Sequence, residues 1–169
     1  MAKLLIFSDS HGSALNMREA LQKNLADSDT ILHLGDGAAE FRALAKEFPG
    51  KLFLAVAGNC DAPGMRDLPA VRTLEADGKK VLLCHGHTFW VKSGPDNLVR
   101  AARACGADVA LYGHTHTPFC GYYPPQAEGE KPLWLFCPGS ITLPAYGYPT
   151  FGIVTLGDSG VLLSHGEIH

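Results

Sequence analysis

The chain has 169 residues, 46% hydrophobic and 18% charged, with 14 basic and 17 acidic side chains for a formal net charge of −3. This composition suits one globular domain over residues 1–169. It speaks against a disordered chain, a basic nucleic-acid face and a bilayer span of ~20 apolar residues. The apolar start, Met1 to Phe7, meets Asp9 and His11 too soon for a signal peptide, which points to the cytoplasm.

Lys3–Phe7 is a nearly continuous apolar run, the pattern of a strand covered on both faces. It ends in Ser8-Asp9-Ser10-His11-Gly12, an acid and an imidazole two apart. A helix is expected from Ala14 to Leu25, with Ser10 or Ser13 as its cap and Leu15, Ala20, Leu21 and Leu25 as its buried stripe. Thr30–Leu34 reads as a second strand ending in Gly35-Asp36-Gly37. A helix follows from Ala38 to Phe48, stopped by Pro49-Gly50. Lys51–Ala57 is a third strand, ending in Gly58-Asn59-Cys60-Asp61. Alternating strands and helices are the signature of a parallel α/β sheet.

Pro63–Pro69 reads as a loop. Ala70–Glu75 and Lys79–Cys84 are strands around a turn at Ala76-Asp77-Gly78, and the second ends in His85-Gly86-His87. Pro95–Cys105 is a third helix with proline in its first turn. The strand Ala107–Tyr112 then ends in Gly113-His114-Thr115-His116. Pro118–Lys131, rich in proline and glycine, reads as a long loop or irregular hairpin. Leu133–Cys137, Thr150–Leu156 and Val161–His165 are antiparallel strands, with a tight turn at Pro138-Gly139-Ser140. About nine strands and three helices imply two packed sheets with helices outside. Cys60, Cys84, Cys105, Cys120 and Cys137 include no Cys-x-x-Cys, so reduced thiols are expected rather than a disulfide framework.

Five strands therefore end in residues able to bind a metal: Asp9 and His11, Asp36, Asn59, His85, and His114 with His116. An Asp or Asn after a strand is ordinarily a turn former, and a single Gly-His-x-His is a weak signal. Their joint occurrence is informative, because parallel sheets build sites beyond the carboxyl ends of their strands. Seven donors exceed the four of a tetrahedral zinc and suit two metals sharing a carboxylate. Mixed Asp, Asn and His donors favour manganese, iron, zinc or similar ions over calcium. Such a pair stays positive after Asp9 and Asp36 contribute their charges, so it attracts an anion and suits displacement at phosphorus.

Together, Asp9-Ser10-His11, Gly35-Asp36, Gly58-Asn59-Cys60-Asp61, His85-Gly86-His87, Gly113-His114-Thr115-His116 and Pro138-Gly139-Ser140 resemble the calcineurin-like metallophosphoesterases. Within them the sequence looks closest to the YfcE-like phosphodiesterase branch. The resemblance spans nearly the whole chain. It implies a four-layer αββα sandwich of two mixed sheets and a hydrolase that uses two divalent ions. Manganese is favoured, with iron, zinc, nickel or magnesium as alternatives. A bridging water or hydroxide then attacks a small phosphate ester in line, a diester first and a monoester as the alternative.

By motif, Asp9, His11 and His116 would hold one ion, Asn59, His85 and His114 the other, and Asp36 would bridge. Cys60 stands where many members carry a histidine that helps the leaving group, and a thiol donates more weakly. Asp61 is expected to orient a ligand, and His87 to contact phosphate or a ligand. Relatives commonly carry an arginine after the Pro-Gly-Ser turn, and Ile141–Phe151 has none.

His33 is expected in the core, and His165 and His169 on the surface. Glu40, Asp67 and Asp108 should be solvated or capping. Trp90, Tyr112, Phe119, Tyr122 and Tyr146 are candidates for a substrate rim, although aromatics more often pack. The alternative class is a binding scaffold, as in the retromer subunit, which resembles this fold with a degraded metal site. Retention of all seven positions argues against it. No membrane or nucleic-acid partner is expected, and Tyr122 to Pro125 offers an apolar surface for a homodimer.

Overall fold

The computed structural model describes residues 1–65 and 67–169. It contains β1 (Ala2–Phe7), α1 (Leu15–Asn24), β2 (Thr30–His33), α2 (Ala38–Ala45), β3 (Leu52–Ala55), β4 (Val71–Ala76) and β5 (Lys79–Cys84). Then follow α3 (Asp96–Ala104), β6 (Val109–Leu111), β7 (Pro118–Tyr123), β8 (Leu133–Pro138), β9 (Thr150–Gly157) and β10 (Gly160–Glu167).

The strands form two five-stranded sheets, ordered β10-β9-β1-β2-β3 and β4-β5-β6-β8-β7. In the first, β1, β2 and β3 run parallel and β9 and β10 antiparallel. In the second, β5, β6 and β8 run parallel, flanked by antiparallel β4 and β7. Both sheets are mixed, as the resemblance implied.

Period-2 alternation along β1 explains the layering. Leu4 and Ile6 enter the core between the sheets, with Leu32, Val81, Leu83, Val109, Leu111 and Phe136. Leu5 and Phe7 face the other way, beneath Met17, Ala20 and Leu21 of α1 and Phe41 and Leu44 of α2. On the second sheet Leu82, Cys84 and Ala110 pack under Leu98 and Ala102 of α3. The order is helix, sheet, sheet, helix.

Four local expectations change, the first being that Leu133–Cys137, expected as an antiparallel strand, lies in β8 and runs parallel to β6. Leu15 is 68% exposed, and Met17 takes its place in the buried stripe with Ala20 and Leu21. Position 15 lies two residues from 17, about 200° round a helix of 3.6 residues per turn, so both cannot face the sheet. Neither Ser10 nor Ser13 caps α1, whose N-cap Ala14 carries no side-chain bond. Within the expected loop or hairpin of Pro118–Lys131, residues Pro118–Tyr123 form an edge strand on β8, steadied by Tyr122 packing on Trp134 with ring centroids 4.7 Å apart. Proline is tolerated there as the first residue of an edge strand. The loop expected over Pro63–Pro69 begins with a single 3-10 turn at Pro63–Met65, while Arg66 lies outside the described residues.

Candidate metal centre

β1, β2 and β3 point their carboxyl ends to one edge of the first sheet, and β5 and β6 do the same in the second. The structure brings all seven candidate donors together at that edge. Donor atoms of Asp9, His11 and His116 lie within 4.8 Å of one another, as do those of Asp36, His85 and His114. His116 Nε2 is 3.2 Å from Asp9 Oδ1, and His11 Nε2 is 3.2 Å from His116 Nε2. His85 Nε2 is 3.3 Å from Asp36 Oδ2 and 3.1 Å from Asn59 Oδ1. A third group, His11, Asp36 and Cys60, adjoins these two. Asp9, Asp36 and His85 are buried, whereas His11, His114 and His116 are half-buried.

The backbone is bent to achieve this. Asp9, His11, Asp36, His114 and His116 all have left-handed φ values, between 44° and 68°. Only Asp77 and Trp90 share that property among the other described non-glycine residues. Each such residue costs about 1–3 kcal/mol and persists only where its surroundings over-determine it. The surroundings do so here. Asp9 N–H donates to Gly35 O at 3.1 Å and His11 N–H to Asp36 O at 3.0 Å. The Asp61 carboxylate accepts four backbone N–H groups, from Asp36, Gly37, Ala38 and Gly58, at 2.8–2.9 Å. Gly58 must be glycine, because a Cβ there would overlap Asp36 Oδ1.

Asp9 shows that the donor set is built for a cation. Its Oδ2 accepts from Ser8 Oγ at 2.6 Å and from His114 N–H at 3.0 Å. Its Oδ1 is buried and has no hydrogen-bond partner among the described residues, yet the Nε2 atoms of His116, His11 and His85 lie 3.2, 3.8 and 3.9 Å away. The Nδ1 atoms of His85 and His116 each face a backbone carbonyl at 2.7 Å, Leu34 O and Leu143 O. A carbonyl only accepts, so Nδ1 carries the proton and Nε2 of the neutral ring presents a lone pair. Lone pairs aimed at an unpartnered carboxylate oxygen repel unless a cation or extra protons stand between them. These residues fit divalent metal ions, with carbonyls fixing ring orientation from behind.

The charges follow the same geometry. Burial raises the Asp9 carboxyl, but the adjacent imidazoles of His116 and His85, with the Ser8 hydroxyl, outweigh it and hold it low. For Asp36, burial is likewise outweighed, by His85 and the Cys60 N–H, and the carboxyl lies well below its usual range. His116 is raised mainly by the Asp9 carboxylate beside it. His85 is raised because its carboxylate neighbours, Asp36 first, overcome burial. Burial, then the charges of His85 and Lys92, push His114 down to about 4.

The remaining candidates sort as follows. His87 places its ring centroid 5.4 Å from His85 and 6.1 Å from His114, with a buried Nδ1 that has no partner among the described residues. Cys60 is exposed and its Sγ accepts from Asn59 Nδ2 at 3.2 Å; burial of the thiol, then Asp36, raises its pKa. Asp61, expected to orient a ligand, holds backbone N–H groups, that of the candidate donor Asp36 among them. Of the rim candidates, Tyr112 is buried, while Trp90, Phe119, Tyr122 and Tyr146 are exposed. His165 is exposed with its ring stacked on Phe136, and His169 packs edge-on against Tyr148. Asp67 pairs with Arg42, and Asp108 accepts the Lys80 N–H.

Glu40 departs from expectation. Instead of facing solvent alone, it accepts from Ser10 Oγ at 2.7 Å and from Gly12 N–H at 2.6 Å. His33 is fully buried, as expected of a core histidine, and bonds Ser10 Oγ through Nε2 at 3.0 Å. Ser140 donates to Asp9 O at 2.8 Å. The Pro-Gly-Ser turn flagged its position, but nothing local announced its partner.

The αββα sandwich thus gathers carboxylate, amide and imidazole donors at its strand ends, the arrangement of a metal-binding α/β domain. The chain belongs to the calcineurin-like phosphoesterase superfamily, whose domain matches residues 2–159. It is 33% identical over 141 residues to the probable metallophosphoesterase YsnB of Bacillus subtilis, covering 83% of this chain and 76% of YsnB. It is 29% identical to the Escherichia coli phosphodiesterase YfcE over 96% of both chains. A predicted phosphoesterase of Streptococcus pneumoniae superposes with TM-score 0.77 at 27% identity, covering 99% of this chain and 91% of its own. Vps29 of Chaetomium thermophilum, at 19% identity, shares the fold with TM-score 0.73 over 98% and 97% of the two chains.

Proposed function

We propose that this protein, acting as one domain over residues 1–169 in the cytoplasm, is a metal-dependent phosphodiesterase with two divalent ions. Manganese is favoured over iron, zinc, nickel and magnesium. The observation that carries the reading is the buried, unpartnered Asp9 Oδ1 facing three imidazole nitrogens within 3.9 Å. Asp9, His11 and His116 are assigned to one ion and Asn59, His85 and His114 to the other. Asp36 is assigned between them because it shares a donor group with His11 as well as with His85 and His114. Two such ions, when bound, activate water and clamp the oxygens exchanged in an in-line displacement at phosphorus.

The chain's own residues do the positioning. Leu34 O and Leu143 O hold His85 and His116 in the tautomer that presents Nε2. His87, packed against His85 and His114, and Cys60, beside Asp36, are assigned the non-metal contacts with the ester. A thiol is a weak donor, so substrates with good leaving groups are favoured. The absence of arginine from Ile141–Phe151 favours a singly charged diester over a dianionic monoester. The similarity to the phosphodiesterase YfcE supports the same choice.

A scaffold reading has one specific support, the shared fold with Vps29. Hydrolysis separates the two. Metal-stripped protein refilled with Mn, Zn, Mg or Fe should turn over an aryl phosphodiester faster than the matching monoester, and Asp36→Asn should abolish turnover. Absence of turnover with every metal, despite two ions bound per chain, would sink the enzyme reading for these substrates and favour the scaffold.

A further inference from the structure

The turn that carries Asp9 and His11 is anchored by side chains that the proposed mechanism leaves unused. Ser10 lies between the two candidate donors, and its buried Oγ points away from them. It meets His33 Nε2 at 3.0 Å and Glu40 Oε1 at 2.7 Å. Behind it, Gly35 N–H donates to His33 Nδ1 at 3.2 Å. On the far side, Gly12 N–H donates to the same Glu40 Oε1 at 2.6 Å.

The direction of every bond follows from the chemistry of its ends. A backbone N–H only donates, so His33 Nδ1 accepts and Nε2 carries the proton. Ser10 Oγ accepts that proton and gives its own to Glu40, which as a carboxylate only accepts. The order is Gly35 N–H to His33, His33 to Ser10, Ser10 to Glu40, and Gly12 N–H to Glu40. No group in the chain faces a partner of its own kind. His33 is locked in place by full burial and by Phe41, whose ring centroid is 5.1 Å away. Gly37 leaves the space for it, since a Cβ there would overlap Ser10 Oγ and press on Glu40 and His33.

The relay ties together three elements: the end of β2, the β1–α1 turn and the first turn of α2. The turn it holds contains Asp9 and His11, with φ values of 56° and 44°. A turn in that conformation needs outside restraint, and a relay of fixed polarity supplies it. Asp61 restrains the other half of the site in a parallel manner, through the backbone around Asp36 and Gly58.

We propose that His33, Ser10 and Glu40 are positioning residues that preset the Asp9–His11 turn and thereby set the affinity of the metal position built on Asp9, His11 and His116. This rests on the two-ion reading above. Glu40 and Ser10 touch no candidate donor side chain through the relay, so their effect reaches the metal only through the turn.

The test is calorimetric titration of metal-free protein with Mn²⁺, comparing wild type with Glu40→Ala, Ser10→Ala and Glu40→Gln. Supporting residues behind metal ligands typically control affinity by about 10–100-fold. Wild type should bind two ions in resolvable steps. Glu40→Ala and Ser10→Ala should weaken one step by about that factor and leave the other in place. Glu40→Gln, whose amide oxygen still accepts both donors, should recover most of the loss. Melting of the metal-free variants by circular dichroism reports whether each has folded. Equal weakening of both steps, an unchanged isotherm in folded Glu40→Ala and Ser10→Ala, or failure of Glu40→Gln to recover the step would overturn the proposal. A wild-type isotherm with a single ion would instead overturn the two-ion reading, and this proposal with it.

Discussion

Asp61→Ala tests the central structural device of the site. The Asp61 carboxylate accepts the N–H groups of Gly37 and Ala38 on Oδ1, and of Asp36 and Gly58 on Oδ2. The first two N–H groups open α2, whose N-cap Gly37 has no side chain of its own. Loss of a side-chain cap costs about 1 kcal/mol. The other two bonds hold the β2–α2 turn to the β3 turn. Hydrogen bonds to a charged acceptor contribute about 1.5–3 kcal/mol each. That range is discounted to about 1 kcal/mol each here, because Asp61 is half-exposed and water can replace it. The sum is about 3 kcal/mol, which for a chain of this length lowers the melting temperature by about 6–12 °C.

Thermal unfolding of the metal-free protein by circular dichroism measures this. Asp61→Asn should recover only part of the loss, since one amide oxygen replaces two carboxylate oxygens and the NH2 group faces backbone donors. Acidification should act in the same direction. Burial raises the Asp61 carboxyl, the four N–H donors more than offset it, and its folded pKa lies below the ordinary value of 3.8. Its contribution is therefore complete above that value and lost as pH falls through the folded pKa. A melting shift under 2 °C in Asp61→Ala would refute the clamp.

Two further outcomes are expected. Burial lowers His33 to about 4 from the ordinary 6.5, despite the opposing charges of Asp9, Asp61 and Glu40. The unfolded chain thus binds a proton at higher pH than the folded one, so stability is complete above 6.5 and declines towards 4, by about 3 kcal/mol at most. Urea midpoints across that range should fall, and His33→Phe should flatten the slope; identical slopes would contradict a buried neutral imidazole. Gly58→Ala should cut Mn²⁺ content at least about 10-fold by elemental analysis, because the new methyl displaces Asp36. Retention of full metal content would show that the Asp36 turn can relax.

Much of this protein was legible in its residues. Apolar runs such as Leu4 to Phe7 set the strands, because a strand buried on both faces has no room for polar side chains on either. The chemistry at strand ends was equally plain. Parallel strands send their carboxyl ends to one edge, so Asp9, Asp36, Asn59, His85 and His114 had to approach one another once the sheets formed.

Other features were decided only by tertiary structure. Ser10 reads as a helix cap over the next few residues, yet its hydroxyl bonds His33 and Glu40, 23 and 30 positions away. Asp61 is expected to orient a ligand, and nothing local says that it also closes the N-terminus of a helix that begins at Ala38. Ser140 reaches Asp9 O across 131 residues. A hydroxyl or carboxylate has the same local propensities whichever distant N–H or imidazole it meets, and sequence neighbours carry no record of that choice. Which carboxylate would keep a free oxygen and which would brace backbone was decided when the two sheets and α2 packed. Packing left Asp9 Oδ1 without a hydrogen-bond partner among the described residues while filling every oxygen of Asp61.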